Sequence, residues 1–124
     1  MRQTTRRTKY AGVHIIADFF GGKSVGNPAA LQKLLYGATR ESNSKPLKFV
    51  CHVFSPQGIT GVVLLAESHI AVHTWPELSY IALDIFTCGK RSKPENALKF
   101  LREALQPEYV RVRKIRRGKP MSAR

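Results

Sequence analysis

Residues 47–86 read LKFVCHVFSPQGITGVVLLAESHIAVHTWPELSYIALDIF, and this stretch decides the fold. It contains four short runs rich in β-branched and aromatic residues, each bounded by turn residues. These runs are 47–54, 60–66, 70–74 and 80–86. Connections this short join antiparallel strands, because a parallel crossover needs about a dozen residues or more. The stretch therefore predicts a mostly antiparallel sheet.

The sequence on either side of this stretch predicts two helices and two further strands. Residues 13–20 are typical of a buried strand, and Asn27-Pro28 predicts a helix start, with Asn as the cap and Pro in the first turn. Ser92 and Glu95 have the spacing of a capping box, which predicts a second helix. Residues 109–115 predict the last strand.

The resulting element order, β-α-β-β-β-β-α-β, indicates the fold class. Because the central strands are joined by short connections, both helices are expected on one face of the sheet. We therefore predict an α+β fold, a two-layer sandwich of a mostly antiparallel sheet and two helices. The elements span residues 10–115 without an internal linker, which predicts a single domain.

The formal net charge of +13 belongs to the two ends of the chain. Residues 1–9 carry four basic residues and residues 110–124 carry seven, with no acid in either segment. Residues 10–109 carry 10 basic and 8 acidic side chains. We expect residues 1–9 and 116–124 to be basic tails. A nucleic-acid-binding module stays as a remote alternative, but the body has no helix lined with Arg and Lys, so we expect no specific nucleic-acid partner.

The two cysteines and the apolar segments bear on the compartment. Cys51 and Cys88 could form one disulfide, but the apolar stretch 11–20 is interrupted by His14 and Asp18 and does not resemble a signal peptide. No apolar run approaches the roughly 20 residues of a membrane helix. We therefore expect a cytoplasmic protein with free thiols and no membrane partner.

Metal binding is one hypothesis for the histidines and cysteines. His69 and His73 would form a ligand pair on a helix, but they lie in a predicted strand. Cys51, His52 and Cys88 could complete a zinc set, yet the paired C-x-x-C spacing typical of zinc sites is missing. We therefore expect no metal site.

Residues 65–77, LAESHIAVHTWPE, carry a more specific signal. This segment resembles the self-processing segment of the prokaryotic S-adenosylmethionine decarboxylase proenzymes, the short, single-domain, pyruvoyl-dependent type. The resemblance continues in LDIFTCG at 83–89, GVHIIADF at 12–19 and FSPQGITG at 54–61. It covers about residues 10–115, which is most of the chain.

The resemblance implies that the chain cuts itself between Glu67 and Ser68, giving a beta chain of residues 1–67 and an alpha chain of residues 68–124. In such a cut, Ser68 attacks the Glu67 carbonyl to form an ester, and elimination and hydrolysis then convert Ser68 into a pyruvoyl group. The resemblance assigns His73 as the base of this processing. It assigns Thr60, where the family usually has Ser, as an assisting hydroxyl.

The resemblance also implies how the mature enzyme works. The pyruvoyl group forms a Schiff base with the substrate and accepts electrons as CO2 leaves, and Cys88 is implied as the proton donor. Phe54 and Trp75 match aromatic positions that sandwich adenine, and Glu77 matches a carboxylate that binds the ribose hydroxyls. Asp18 stands where the family usually has Glu and is the weakest candidate among the substrate-binding residues.

The implied reaction converts S-adenosylmethionine to S-adenosylmethioninamine and CO2, for spermidine synthesis. The resemblance also includes some archaeal relatives that share these motifs and decarboxylate arginine to agmatine, so the sequence alone leaves both substrates open. The resemblance further implies a dimer of processed protomers, packed sheet against sheet, with two sites at the interface.

Overall fold

The computed structural model describes residues 10–120 and contains one six-stranded sheet and two α-helices. The strands are β1 (Gly12–Phe20), β2 (Pro46–Val53), β3 (Ile59–Leu65), β4 (Ser68–Trp75), β5 (Tyr80–Cys88) and β6 (Tyr109–Arg117). The helices are α1 (Pro28–Glu41) and α2 (Pro94–Leu105), and a 3-10 turn, Pro76–Leu78, joins β4 to β5.

All five strand pairings in the sheet are antiparallel, in the order β2-β3-β4-β5-β1-β6. The predicted α+β class, the antiparallel sheet and the two helices are therefore confirmed. Both helices pack on one face, because alternate residues of the strands form the core with them. Core members from α1 and α2 include Leu31, Leu35, Ala97 and Leu101, which are all buried. Burial of each such leucine contributes about 1.5–3 kcal/mol to the hydrophobic driving force.

The opposite face of the sheet carries no helix, and we call it the open face. It consists of the even-numbered residues of β1, β3 and β5 and the odd-numbered residues of β4 and β6, as the strand registers require. The core residues of the same strands have the other parity. Nearly all the candidate site residues that lie in strands belong to the open face.

The start of α1 agrees with the sequence, and the start of α2 does not. The Asn27 side chain accepts a hydrogen bond from the amide of Ala30 at 2.8 Å, as predicted for a cap. The prediction of a capping box at Ser92 and Glu95 is wrong. Helix α2 begins at Pro94 without a side-chain cap, because the Ser92 hydroxyl lies 3.2 Å from that of Ser44 and Glu95 pairs with Lys114.

Strand β6 forms one edge of the sheet and continues to Arg117, two residues beyond the predicted end. Arg116 and Arg117 therefore belong to the sheet and not to a basic tail. Five basic residues in this strand oppose pairing with the edge of another copy, because like charges would meet. The remaining predicted tail residues, 1–9 and 121–124, lie outside the described residues.

Cys51 and Cys88 are both free thiols, as expected. Cys51 lies on β2 and packs against the core on the helix side of the sheet. In the described part of the chain, no helix has the length and apolar character needed to cross a membrane.

Candidate active site

The Glu67–Ser68 bond lies in a tight hairpin between β3 and β4. Leu65 and Ser68 are paired across the hairpin, so only Ala66 and Glu67 form the turn. The loop before β2 holds this turn from outside. The Ala66 amide donates to the Lys45 carbonyl at 2.9 Å, and the Lys45 amide donates to the Glu67 carboxylate at 3.2 Å. The turn is therefore fixed on both sides of the bond that the sequence predicts to be cut.

The backbone of Ser68 is strained, because its φ angle is +155°, a value that residues with a side chain rarely adopt. Such a conformation costs about 1–3 kcal/mol and persists only where the surrounding structure enforces it. Here the two-residue turn and the pairing of β4 with β3 supply that constraint. Breaking the bond on the amino side of Ser68 would release this strain.

Cys88 lies against the scissile peptide. Its thiol donates a hydrogen bond to the Glu67 carbonyl oxygen at 2.9 Å, and its sulfur is 3.9 Å from the Ser68 hydroxyl. A donor on this oxygen polarises the carbonyl toward nucleophilic attack and stabilises the negative charge that would develop on it. The structure therefore brings together three of the predicted site residues, Glu67, Ser68 and Cys88.

Gly12 makes room for this arrangement. It is paired with Cys88 across β1 and β5, and a Cβ atom at Gly12 would lie 2.5 Å from the Thr87 carbonyl oxygen and 3.0 Å from the Cys88 Cβ. Because the first contact is with backbone, a larger residue here would displace the end of β5 and with it the thiol. Sequence reasoning noted Gly12 only as part of a matching strand.

Thr60 and His73 form a second group on the open face. They are paired across β3 and β4, and the Thr60 hydroxyl oxygen lies 3.1 Å from His73 Nδ1. His73 is five residues from Ser68 along β4, which corresponds to about 17 Å. Within one protomer, the structure therefore keeps the predicted base apart from the serine.

Phe54, Trp75 and Glu77 gather at the same end of β4 as His73. Gln57 donates to the Glu77 carboxylate at 3.4 Å, which ties the β2–β3 loop to the 3-10 turn. Phe54 and Trp75 are partly exposed, by 47% and 39%. Trp75 is seven residues from Ser68, or about 23 Å along the strand. The structure thus places Phe54, Trp75 and Glu77, which we call the nucleoside group, at the end of β4 that is remote from the scissile bond of the same protomer.

Asp18 has a partner that sequence reasoning missed. The Tyr80 hydroxyl donates to the Asp18 carboxylate at 2.5 Å, between neighbouring strands β5 and β1. Burial, together with this hydrogen bond, raises the pKa of the Tyr80 hydroxyl to about 12, so it stays a donor at neutral pH. The carboxylate is therefore engaged within the protein.

One further polar cluster lies on the open face near Ser68. His14 pairs with Asp84, and His69 Nε2 lies 3.5 Å from the same carboxylate. Within residues 10–120 this is the one group of three side chains that could share a metal ion, and it contains neither cysteine. Arg117 also lies 3.2 Å from His14 Nδ1, so both nitrogens of this ring have neighbours within the protein. Sequence reasoning missed His14 and Asp84, because their contact depends on the pairing of distant strands.

Comparisons of this chain with known proteins all point to the same family. The sequence profile of the S-adenosylmethionine decarboxylase family matches residues 13–118. An S-adenosylmethionine decarboxylase proenzyme of Methanococcus maripaludis is 42% identical over 112 residues, covering 89% of this chain and 92% of the relative. A proenzyme of the same name from Acetivibrio thermocellus is 37% identical over 109 residues, covering 86% of this chain and 88% of the relative.

Among solved structures, the adenosylmethionine decarboxylase of Aquifex aeolicus superposes with a TM-score of 0.85 at 34% identity. The match covers 94% of this chain and 98% of that one. Sequence profile, relatives and fold agree over nearly the whole chain. This chain belongs to the S-adenosylmethionine decarboxylase family.

Proposed function

We propose that this chain is a precursor that cuts its own Glu67–Ser68 bond and then decarboxylates S-adenosylmethionine. The observation that carries the proposal is the contact of the Cys88 thiol with the Glu67 carbonyl, next to the strained backbone of Ser68. The family supports self-processing, because its members are named as proenzymes. The cut would give a beta chain of residues 1–67 and an alpha chain of residues 68–124.

The cut begins with the Ser68 hydroxyl, which attacks the carbonyl carbon of Glu67 and turns the amide into an ester. Cys88 holds the carbonyl oxygen during this step through its 2.9 Å hydrogen bond. A base then removes the Cα proton of residue 68. Residues 1–67 leave as a chain that ends in the main-chain carboxylate of Glu67. Water converts the remaining group to pyruvoyl with loss of ammonia. His73, supported by the Thr60 hydroxyl, is the proposed base.

The residues at the scissile bond fit a pyruvoyl cofactor made in place. When formed, this group would supply the electron sink for the electron pair that stays on the substrate when CO2 departs. The Cys88 sulfur lies 3.9 Å from the Ser68 hydroxyl, so the thiol is beside the position of the cofactor and can donate a proton to the α-carbon of a substrate held there. Cys88 thus acts first on the scissile carbonyl and later as the proton donor of turnover.

The distances within one protomer support a site shared between two protomers. Ser68 lies at the start of β4, with Cys88 of β5 beside it. His73, its neighbour Thr60 and the nucleoside group lie near the end of β4, where His73 and Trp75 are about 17 and 23 Å from Ser68. In a dimer packed through the open faces, a two-fold axis that runs across the strands places the serine end of one protomer against the histidine end of its partner. We propose this sheet-to-sheet dimer, with two composite sites.

Co-expression of two inactive variants tests the composite site. Ser68→Ala removes the nucleophile and His73→Ala removes the base, so each homodimer should stay uncut and inactive. A mixed dimer retains one site with both groups. Random pairing makes half of the dimers mixed, so we expect about one quarter of wild-type activity, with cleavage confined to the His73→Ala chain.

The matched control pairs Ser68→Ala with Cys88→Ala, because both groups come from the same protomer and mixing restores no site. Two results would exclude the shared site: no recovery in the first mixture although mixed dimers form, or equal recovery in both mixtures.

Substrate choice rests on the nucleoside group and the relatives. Phe54 and Trp75 offer ring faces for adenine, and Glu77 offers two oxygens to a ribose diol. The relatives at 42% identity are named S-adenosylmethionine decarboxylase proenzymes, and arginine as the alternative substrate is not favoured. The substrate is a small molecule in either case.

Release of labelled CO2 tests the substrate. We expect purified, self-cleaved protein to release CO2 from carboxyl-labelled S-adenosylmethionine, with release from arginine below about one hundredth of that rate, because arginine cannot use the nucleoside group. The Ser68→Ala chain serves as the blank. Release from arginine alone would replace the proposed substrate and leave the self-cleavage intact.

A further inference from the structure

Four aromatic rings form a row across the open face. Tyr80 lies between Trp75 and Phe20, with ring centroids 5.3 and 5.1 Å away and rings tilted by only 24° and 22°. Tyr109 continues the row at 5.9 Å from Phe20. Arg111 lies over the rings of Phe20 and Tyr109. The row crosses β4, β5, β1 and β6. It begins at Trp75, which is one of the residues of the nucleoside group.

Tyr80 is the most constrained ring of this row. Both of its faces are stacked, and its hydroxyl is held by Asp18 at 2.5 Å. Asp18 is in turn paired across the sheet with Arg111. Rotation of the Tyr80 side chain would break two stacking contacts and a charge-assisted hydrogen bond together.

The stacking on Tyr80 restricts Trp75. One face of the indole rests on Tyr80, so an adenine ring would have to stack on the other face. Within residues 10–120 the indole has one other aromatic neighbour, the His73 ring at 6.3 Å and a tilt of 35°, and Trp75 is 39% exposed. Without Tyr80, the indole would have to be ordered when the ligand binds, which lowers affinity.

We propose that Tyr80, held by Asp18, is a positioning residue that sets Trp75 for the nucleoside part of the substrate. This inference rests on the proposed function and deepens it. It gives Asp18 the role of holding Tyr80 in place of the predicted direct contact with the substrate. The role concerns binding alone, because Tyr80 acts through Trp75 on the nucleoside part of the substrate and not on the amino-acid end, where CO2 is lost. The expected signature is a change in KM at constant kcat.

The chain has one tryptophan, so the fluorescence of Trp75 reports on this position alone. We would titrate self-cleaved protein with 5′-methylthioadenosine, a nucleoside thioether without the amino-acid end. In the wild type, stacking of adenine should quench the emission. Tyr80→Leu removes the ring and the hydrogen bond, and we expect its Kd and its KM for S-adenosylmethionine to rise about tenfold. Tyr80→Phe and Asp18→Asn keep the ring, and a rise of about threefold is expected.

Tyr109→Leu is the matched control, since this ring is in the same row on the open face but is not stacked on Trp75, and gel filtration checks that both leucine variants keep the oligomeric state of the wild type. Its Kd should stay within about twofold of the wild type. Quenching and KM that are unchanged in Tyr80→Leu would overturn the positioning role and leave the proposed function standing. A fall in kcat without a change in Kd would also overturn it. If cleaved wild-type protein neither binds the nucleoside nor releases CO2, the proposed substrate fails as well.

Discussion

Replacement of Ser68 by alanine is expected to leave the chain as one uncut polypeptide of 124 residues without decarboxylase activity. The methyl group cannot attack the Glu67 carbonyl, and no pyruvoyl group can form at this position. Decarboxylase activity should fall by about 10⁶-fold or more, to the rate of the uncatalysed reaction. Denaturing electrophoresis and CO2 release measure the two effects separately.

Two companion variants separate chemistry from folding in this experiment. Ser68→Gly also lacks the hydroxyl, but glycine tolerates the φ angle of +155° found here. It should be uncut yet about 1 kcal/mol more stable to unfolding than Ser68→Ala, because the backbone strain is relieved. Ser24→Ala changes an exposed loop serine and should be cut as the wild type is. A Ser68→Ala chain that is cut normally would exclude Ser68 as the nucleophile.

Replacement of Cys88 by alanine is expected to have the second-largest effect, and to act at two stages. The variant loses the hydrogen bond to the Glu67 carbonyl, so self-cleavage should slow about 10²–10³-fold. Material that has been cut lacks the proposed proton donor, and its kcat should fall about 10²–10⁴-fold. A time course of cleavage after synthesis, followed by kinetics on the cut fraction, measures the two stages.

Cys88→Ser and Cys51→Ala complete this comparison. The serine hydroxyl can still donate to the carbonyl, so cleavage should recover more than turnover does. Cys51 packs on the helix side of the sheet, and its variant should cleave and turn over normally. Cleavage of Cys88→Ala at the wild-type rate would mean that the thiol contact has no part in processing.

The fold was largely predictable, because alternation and turn residues report directly on local backbone structure. The Asn27 cap and the short central connections predicted α1 and the antiparallel order of β2 to β5. The start of α2 was missed because the Ser92 hydroxyl is taken by Ser44, a contact between segments 48 residues apart. The end of β6 was missed because Arg116 and Arg117 read as a charged tail, although an edge strand accepts such residues.

The sequence named the candidate site residues but did not give their arrangement. The resemblance named Glu67, Ser68 and Cys88, which the structure places in contact. It also named His73, whose separation from Ser68 follows from their positions on one strand. The pairing of Tyr80 with Asp18 requires β5 to lie beside β1, and nothing local in the sequence specifies which strands become neighbours.

We propose that this chain cuts its own Glu67–Ser68 bond to make its cofactor. The intact mass of purified wild-type protein tests it most directly. We predict two chains, residues 1–67 with a free carboxylate and residues 68–124 lighter by one ammonia than a fragment that begins with serine. A single full-length mass in protein that releases CO2 from S-adenosylmethionine would contradict the account.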